Sequence, residues 1–292
     1  MTGPLVEIFT DGGSTGLGHL RRSNTLGAYL RTVGYRVRVT ARSAEGRRLL
    51  GEAPADPGTA AAWVIDLPAP DPELIGAAHN QPTLALDYFW GGTPTLTVSI
   101  LERSETAAPG GNRLAGLLYA IIRQDIRELA PAPGGEGVVV AIGGGDQKSV
   151  GADTALRLSE AGEKVTLIQG PLAAVRDLAS SAIVCLRDPP DLAKRMAQCR
   201  WAVCNGGSTL MEFMSLGKPA WVLPQTPAEE RLARHVLAQG GLLGIGSDEM
   251  RAPLEEHGAR IGRKACELVD GRGVERLGDL IAQMLARPRT RS

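Results

Sequence analysis

Phe9-Thr10-Asp11-Gly12-Gly13-Ser14-Thr15-Gly16-Leu17-Gly18-His19 sets a histidine at the mouth of a helix, directly behind a glycine-rich turn. Before it, residues 5–9 read as a short buried strand. After it, Leu20, Leu26, Leu30 and Val33 recur at near-helical spacing until Gly34 stops the helix. The turn therefore joins strand to helix. Glycines such as Gly16 and Gly18 let the backbone approach a ligand closely, and the unpaired amides of a helix start attract an anion. His19 belongs beside that ligand, and an imidazole, which titrates near neutrality, suits a general base. The alternative is a tight turn with a capping histidine that does no chemistry. A dinucleotide fingerprint is disfavoured, because Arg21 stands where the third small residue of that motif belongs.

Outward from this turn, strand-like runs at 5–9, 36–40, 62–66, 83–87 and 96–100 alternate with helical or loop segments. Alternation of that kind predicts an α/β fold with a parallel sheet wound by helices. At Ala130-Pro131-Ala132-Pro133-Gly134-Gly135-Glu136-Gly137 the pattern breaks into proline and glycine, as a linker does. A second series follows, with strands near 138–142, 164–169, 182–186, 201–204 and 220–223 and helices near 149–161, 191–197, 210–216 and 228–238. The expectation is two Rossmann-like doubly wound domains, 1–131 and 132–292, with a stretch at 274–285 amphipathic enough to pack on a domain surface. Ligands of such sheets bind beyond the carboxyl ends of the strands, so the glycine-rich loops of both halves are expected to face one cleft.

Bulk composition narrows the partners. The 292 residues carry 32 lysines and arginines against 32 aspartates and glutamates, so no net field draws in nucleic acid or an anionic membrane. A small molecule is the expected partner. No secretory leader pattern opens the chain and no apolar run reaches membrane-spanning length, which predicts a cytoplasmic protein without membrane insertion. Cys185, Cys199, Cys204 and Cys266 lack the CxxC spacing of a zinc site. Cys185 and Cys204 fall in strand-like apolar runs and are expected as buried, reduced thiols.

Two loops of the second half repeat the logic of the first. Ile142-Gly143-Gly144-Gly145-Asp146-Gln147-Lys148 follows a strand and precedes a helix, as an anion cradle or as a turn that glycine closes for packing. In Cys204-Asn205-Gly206-Gly207-Ser208-Thr209-Leu210-Met211-Glu212 a strand ends, Gly206 and Gly207 clear space, and the hydroxyls of Ser208 and Thr209 are expected to cap a helix start. With the backbone amides there they would hold a diphosphate. Glu212, one turn inside, either accepts hydrogen bonds from ribose hydroxyls or complements the helix dipole as a first-turn carboxylate.

Taken together, Gly16-Leu17-Gly18-His19 with Arg21 and Arg22, Tyr119-Ala120-Ile121-Ile122-Arg123, Gly144-Gly145-Asp146 and Gly206–Glu212 resemble, in order and spacing, the nucleotide-sugar hydrolases of pseudaminic acid biosynthesis. That family is itself similar to the GT-B glycosyltransferases, with which the Gly206–Glu212 stretch and Leu216-Gly217-Lys218-Pro219 are shared. The resemblance implies a GT-B-like pair of domains and removal of UDP from a diacetamido-trideoxyhexose by water, with inversion at the anomeric carbon. It matches His19 to the catalytic residue and Glu212 to the ribose contact. Phe9 replaces a basic residue of the family, and Leu67-Pro68 replaces a His-Tyr pair. Both changes lie in the half expected to grip the sugar.

The chemistry then needs a stabilised diphosphate, a positioned water and a base. The amides near Gly207–Thr209 and Gly144–Gly145, with Lys148 or Arg21, are the candidates for the leaving charge. Asp11 would orient the imidazole, bind a sugar hydroxyl or merely form the turn. Asp66 and Asp87 end strands on the same side, and Tyr88 and Trp90 are candidates to stack on the sugar. No acidic DxD pair sits in a suitable loop and no histidine cluster exists, so catalysis without metal or other cofactor is expected. His79, His235 and His257 read as surface residues. A glycosyltransferase using the same donor, and a binding protein that has lost the reaction, remain as alternatives.

Overall fold

The computed structural model describes residues 3–13, 16–51, 60–78, 81–87, 94–101, 112–129, 131, 134–143, 146, 149–171, 173, 176, 178 and 180–286. Gly144, Gly145, Lys148, His79, Tyr88 and Trp90 lie outside them. Two compact units emerge: 1–121 with 272–292, and 122–271.

The first unit alternates β1 (Leu5–Thr10), α1 (Gly18–Thr32), β2 (Arg36–Ala41), α2 (Ala44–Leu50), β3 (Ala62–Asp66), α3 (Pro72–Ala77), β4 (Thr83–Leu86), β5 (Leu96–Ser99) and β6 (Asn112–Ala115). These strands form one sheet in the order β2-β1-β3-β4-β5-β6, every pairing parallel. All of β1 is buried because helices cover both faces of a parallel sheet. Gly34, at φ 98°, ends α1 as its position predicts, letting the Tyr35 amide return to the Leu30 carbonyl. On one face Val6, Ile8, Leu26, Leu30, Val64 and Leu84 share a core. On the other, Phe9 meets Trp63 edge to face at 5.2 Å. The strand order reverses between β1 and β3, which fixes the switch point at the carboxyl ends of those two strands. Register places Thr10 opposite both Ala41 and Asp66 there.

The second unit contains α4 (Gln124–Arg127), β7 (Val138–Ala141), α5 (Val150–Glu160), β8 (Val165–Gln169), β9 (Ile183–Arg187), α6 (Leu192–Gln198), β10 (Trp201–Cys204), α7 (Ser208–Ser215), β11 (Ala220–Val222), α8 (Pro227–Ala238), β12 (Gly244–Ile245) and α9 (Glu255–Leu268). Its parallel sheet runs β12-β11-β10-β7-β8-β9, a doubly wound order whose switch point lies between β7 and β10. Apolar strand positions such as Val138, Val140, Leu167, Trp201 and Val203 fill its core. Cys204 is buried as expected, whereas Cys185 on the edge strand β9 is only half-buried.

Two boundary expectations are corrected. The amphipathic C-terminal stretch forms α10 (Gly273–Ala286), but it belongs to the first unit, where Val274, Leu277, Ile281 and Met284 join the core built on β1 and α1. The proline–glycine stretch is likewise not the crossing between units. The Glu136 amide donates to the Gln198 carbonyl at 3.0 Å, and buried Lys218 donates to the Gly134 carbonyl at 2.9 Å. A Cβ on Gly135 would overlap the Gln198 carbonyl oxygen, so that segment is packed into the second unit. The chain changes units after Ile121 and again after Gly271. Among the described residues no helix is long and apolar enough to cross a membrane.

Candidate active site

At the switch point of the first unit, polar side chains from α1, β3 and the end of β4 converge. The Gly13 and Gly16 backbones bond each other reciprocally at 3.1 and 2.8 Å. Gly16, at φ 108°, takes a conformation that side-chain-bearing residues avoid. The turn delivers the chain to Leu17, which provides no side-chain cap, and Gly18 opens α1. His19 thus stands in the first helical turn, and its Nδ1 lies 2.7 Å from Asp66 Oδ1. The imidazole is 32% exposed and Asp66 is 0% exposed, so a reagent in solvent reaches the ring but not its partner.

Arg22, one turn further along the same helix face, organises the carboxylates. Its Nε donates to Asp66 Oδ2 at 2.7 Å, its Nη2 donates to Asp66 Oδ1, and its Nη1 donates to Asp87 Oδ2 at 2.7 Å. The hydroxyl of Ser23 adds a bond to Asp66 Oδ2 at 3.1 Å. Burial alone would raise the carboxyl of Asp66, but the cation of Arg22 and the bonds from His19 and Arg22 outweigh it and hold the group down at about 2. Burial likewise opposes the charge of Arg22, yet the two carboxylates keep it firmly protonated.

This ionisation fixes the neutral ring's tautomer. A carboxylate only accepts hydrogen bonds, so a 2.7 Å contact requires the imidazole proton on Nδ1. Nε2 then carries the lone pair and is able to take a proton. Thr10, level with Asp66 in the sheet, adds a fully buried hydroxyl with no hydrogen-bond partner among the described residues.

Asp11, open to readings as an orienter of the imidazole, a sugar contact or a turn former, is bonded locally. Its Oδ1 accepts from Ser43 Oγ at 2.6 Å and from the Gly12 amide at 2.9 Å, and its Oδ2 from the Ser43 amide at 3.0 Å, tying β1 to the start of α2. The carboxylate that orients His19 is Asp66. Arg21 lies on the exposed side of α1, while Arg22 is the arginine turned toward the carboxylates. The spacing of His19 and Arg22 was the available signal for this pairing, since residues three apart share a helix face.

In the second unit, α7 begins without a side-chain cap: Gly207 occupies the N-cap, and Ser208 and Thr209 are already helical. The expected hydroxyl caps are therefore not formed; the Leu210 and Met211 amides turn back to the Gly207 carbonyl at 3.1 and 3.4 Å, and among the described residues no side chain caps the amides of Ser208 and Thr209. Gly206 is demanded by packing, because a Cβ there would stand 2.6 Å from the Glu229 carbonyl oxygen. Asn205 donates to Glu229, whose other carboxylate oxygen accepts the Gln225 amide at 2.7 Å. Asn205 Oδ1 is buried at this switch point without a partner among the described residues. Neither Asn205 nor Glu229 stood out in the sequence as a site residue. Glu212 Oε1 accepts from Arg123 Nε at 2.8 Å, and Arg123 Nη2 is buried with no hydrogen-bond partner among the described residues. Burial opposes the charge on Arg123, but Glu212 and then Asp125 keep its pKa raised.

Asp146 is a helix cap. Its two oxygens accept the amides of Val150 and Gly151 at 2.9 and 2.7 Å, so the start of α5 is already met by a carboxylate. Gly144 and Gly145 lie outside the described residues. His235 and His257 are exposed, as expected. Among the described residues no three histidine, cysteine or acidic side chains gather as a metal site would require.

Comparison with known proteins adds the architecture. No family model and no curated protein matches the chain. Among solved structures, Acinetobacter baumannii MurG aligns with 96% of this chain and 100% of its own at a TM-score of 0.65 and 15% identity. CalG4, the calicheamicin glycosyltransferase, aligns with 99% and 100% at 0.59 and 13%. The fold is GT-B. The spinosyn rhamnosyltransferase SpnG, solved with thymidine diphosphate, aligns with 96% of this chain and 99% of its own at 0.56 and 16%. At such identities the likeness is one of fold, and in the GT-B frame each half of the chain supplies one of the two Rossmann-like sheets.

Proposed function

We propose that this GT-B chain is a nucleotide-sugar hydrolase that releases UDP from a UDP-linked amino or deoxy sugar. The observation that carries this reading is the His19–Asp66 pair, which leaves Nε2 of an accessible imidazole as a proton acceptor. Water attacks the anomeric carbon, its proton passes to Nε2, and the bond from that carbon to the diphosphate oxygen breaks with its electron pair leaving on UDP. Attack opposite the leaving group inverts the centre. Asp66 stabilises the imidazolium so formed, as the buried aspartate of a catalytic triad does.

The second unit would hold the nucleotide, with the uncapped amides of Ser208 and Thr209 meeting the diphosphate and Glu212 meeting the ribose. SpnG, a GT-B neighbour, was solved with a nucleoside diphosphate, which supports that class of ligand. The resemblance to the pseudaminic acid hydrolases supports a diacetamido-trideoxyhexose as the sugar.

A glycosyltransferase is the second reading, supported by the fold neighbours CalG4, the calicheamicin glycosyltransferase, and SpnG, the spinosyn rhamnosyltransferase. The same base would then deprotonate an acceptor hydroxyl. Incubating the purified chain with UDP-sugars separates the two. UDP release without any acceptor supports hydrolysis, strict acceptor dependence supports transfer, and tight binding without turnover on a broad panel rejects both in favour of a binding protein.

A further inference from the structure

We propose that Asp87 is a positioning residue that sets the charge balance at His19, neutralising Arg22 so that the negative charge of Asp66 acts on the imidazole. This rests on reading His19 as the proton acceptor. Arg22 lies between two carboxylates, and its Nη2 stands 3.2 Å from His19 Nδ1. Were Asp66 its sole partner, the two charges would cancel, and a guanidinium would face the imidazolium that forms as water is deprotonated. The second carboxylate makes the trio net negative by one charge. A net negative charge beside the ring favours its protonated form over the neutral one.

Asp87 holds an uncommon backbone position at the end of β4. Its φ of 47° lies in the left-handed region that residues other than glycine rarely adopt. The Asp87 amide donates to the Val98 carbonyl at 2.9 Å, and Oδ1 accepts the Ile100 amide at 3.0 Å. Those bonds suffice to close the end of β4 against β5. They leave Oδ2 over, and Oδ2 is the atom on Arg22.

Among the described residues, the other charged groups on the elements around the ring are committed or turned away. Asp11, after β1, is held by Ser43, and Glu45 of α2 lies against Gly13. Arg21 of α1 is on the exposed side. Asp66 of β3 and Arg22 of α1 are the charges on the imidazole itself, with Asp87 acting through Arg22.

The experiment is an NMR titration of the His19 imidazole in the full chain, its signal identified by loss in His19→Ala. Asparagine tolerates the left-handed backbone and keeps an oxygen for the Ile100 amide, so Asp87→Asn should fold. Removing a negative charge favours the neutral ring, and the midpoint moves to lower pH. Asp87→Glu returns it toward the wild-type position, and Asp87→Ser repeats the downward shift should the asparagine variant misfold. In turnover assays with a UDP-sugar, Asp87→Asn lowers kcat on the order of tenfold with little change in KM, and the acid limb of the pH profile shifts in the same downward direction. A midpoint that stays put in both neutral variants overturns the proposal. A shifted midpoint in a protein that releases no UDP keeps the proposal and removes the hydrolase reading instead.

Discussion

His19 Nδ1 and Asp66 Oδ1 stand 2.7 Å apart although 47 residues separate them in the chain. The contact exists because β1 and β3 are neighbours in the sheet, so the end of β3 lies under the first turn of α1. Asp66→Asn keeps the shape but presents an amide that donates as well as accepts, which frees the imidazole to adopt the opposite tautomer. UDP release should fall by about 10²–10⁴ in kcat. The same change leaves Arg22 with one carboxylate in a buried setting and should cost roughly 3–5 kcal/mol of folding stability. Steady-state kinetics and urea unfolding read the two effects separately. Full activity in this variant would remove Asp66 from the mechanism.

The same carboxyl makes stability depend on acid. Asp66 is held at about 2 against an ordinary 3.8, so between those values the unfolded chain binds the proton and the folded chain does not. The stabilisation is complete above the unfolded value and fades as pH falls through the folded one. Its size is roughly 2 kcal/mol. Urea midpoints measured from pH 5 down to pH 2 should therefore decline for the wild type, and this part of the decline should vanish in Asp66→Asn. Parallel slopes in the two proteins would place the acid sensitivity elsewhere.

The fold was legible where the signal was local. Apolar runs marked most strands, and Gly34 marked the end of α1, because burial on both faces and a left-handed turn leave traces within a few residues. The candidate site was half legible. His19 stood out by its place behind a glycine turn, but Asp66 was one of several aspartates ending strands, and only the β1–β3 register selects it. Asp11 was the nearer choice in sequence and went to Ser43. Arg21 and Arg22 differ by about 100° around the helix, so one residue separates an exposed cation from one buried between carboxylates. Asp146 looked like part of an anion cradle because a capping aspartate and a ligand-binding loop share the same composition. The amphipathy of α10 was plain, but amphipathy names a face and not the domain that receives it.

Glu212 tests the nucleotide half of the proposal. Its Oε1 accepts from Arg123, which precedes α4 and fixes the side chain where it leaves α7. If Glu212 accepts ribose hydroxyls, Glu212→Gln loses an ionised acceptor, and UDP should bind on the order of tenfold more weakly. Isothermal titration with UDP measures this directly. His19→Ala should leave the same affinity nearly untouched while abolishing turnover. Equal loss of binding in both variants would mean that the two residues do not divide the labour as proposed.

The return of α10 to the first unit makes a prediction of a different kind, because two of its glycines meet different obstacles. A Cβ on Gly273 would overlap the Ala120 carbonyl oxygen and lie 2.7 Å from its carbon, and backbone there has little room to yield. A Cβ on Gly278 would stand 2.8 Å from Tyr29 Cε1, on a side chain that is able to rotate. Gly273→Ala should therefore destabilise the chain by about 1–3 kcal/mol. At Gly278 the helical preference for alanine, worth up to about 1 kcal/mol, works against the clash and should leave a smaller net loss. Combining Gly278→Ala with Tyr29→Leu would remove the obstacle and recover most of that loss. Urea unfolding of the three variants checks the order. A neutral Gly273→Ala would show that the N-terminus of α10 is not seated on Ala120, and the assignment of this helix to the first unit would then rest on Val274, Leu277, Ile281 and Met284 alone.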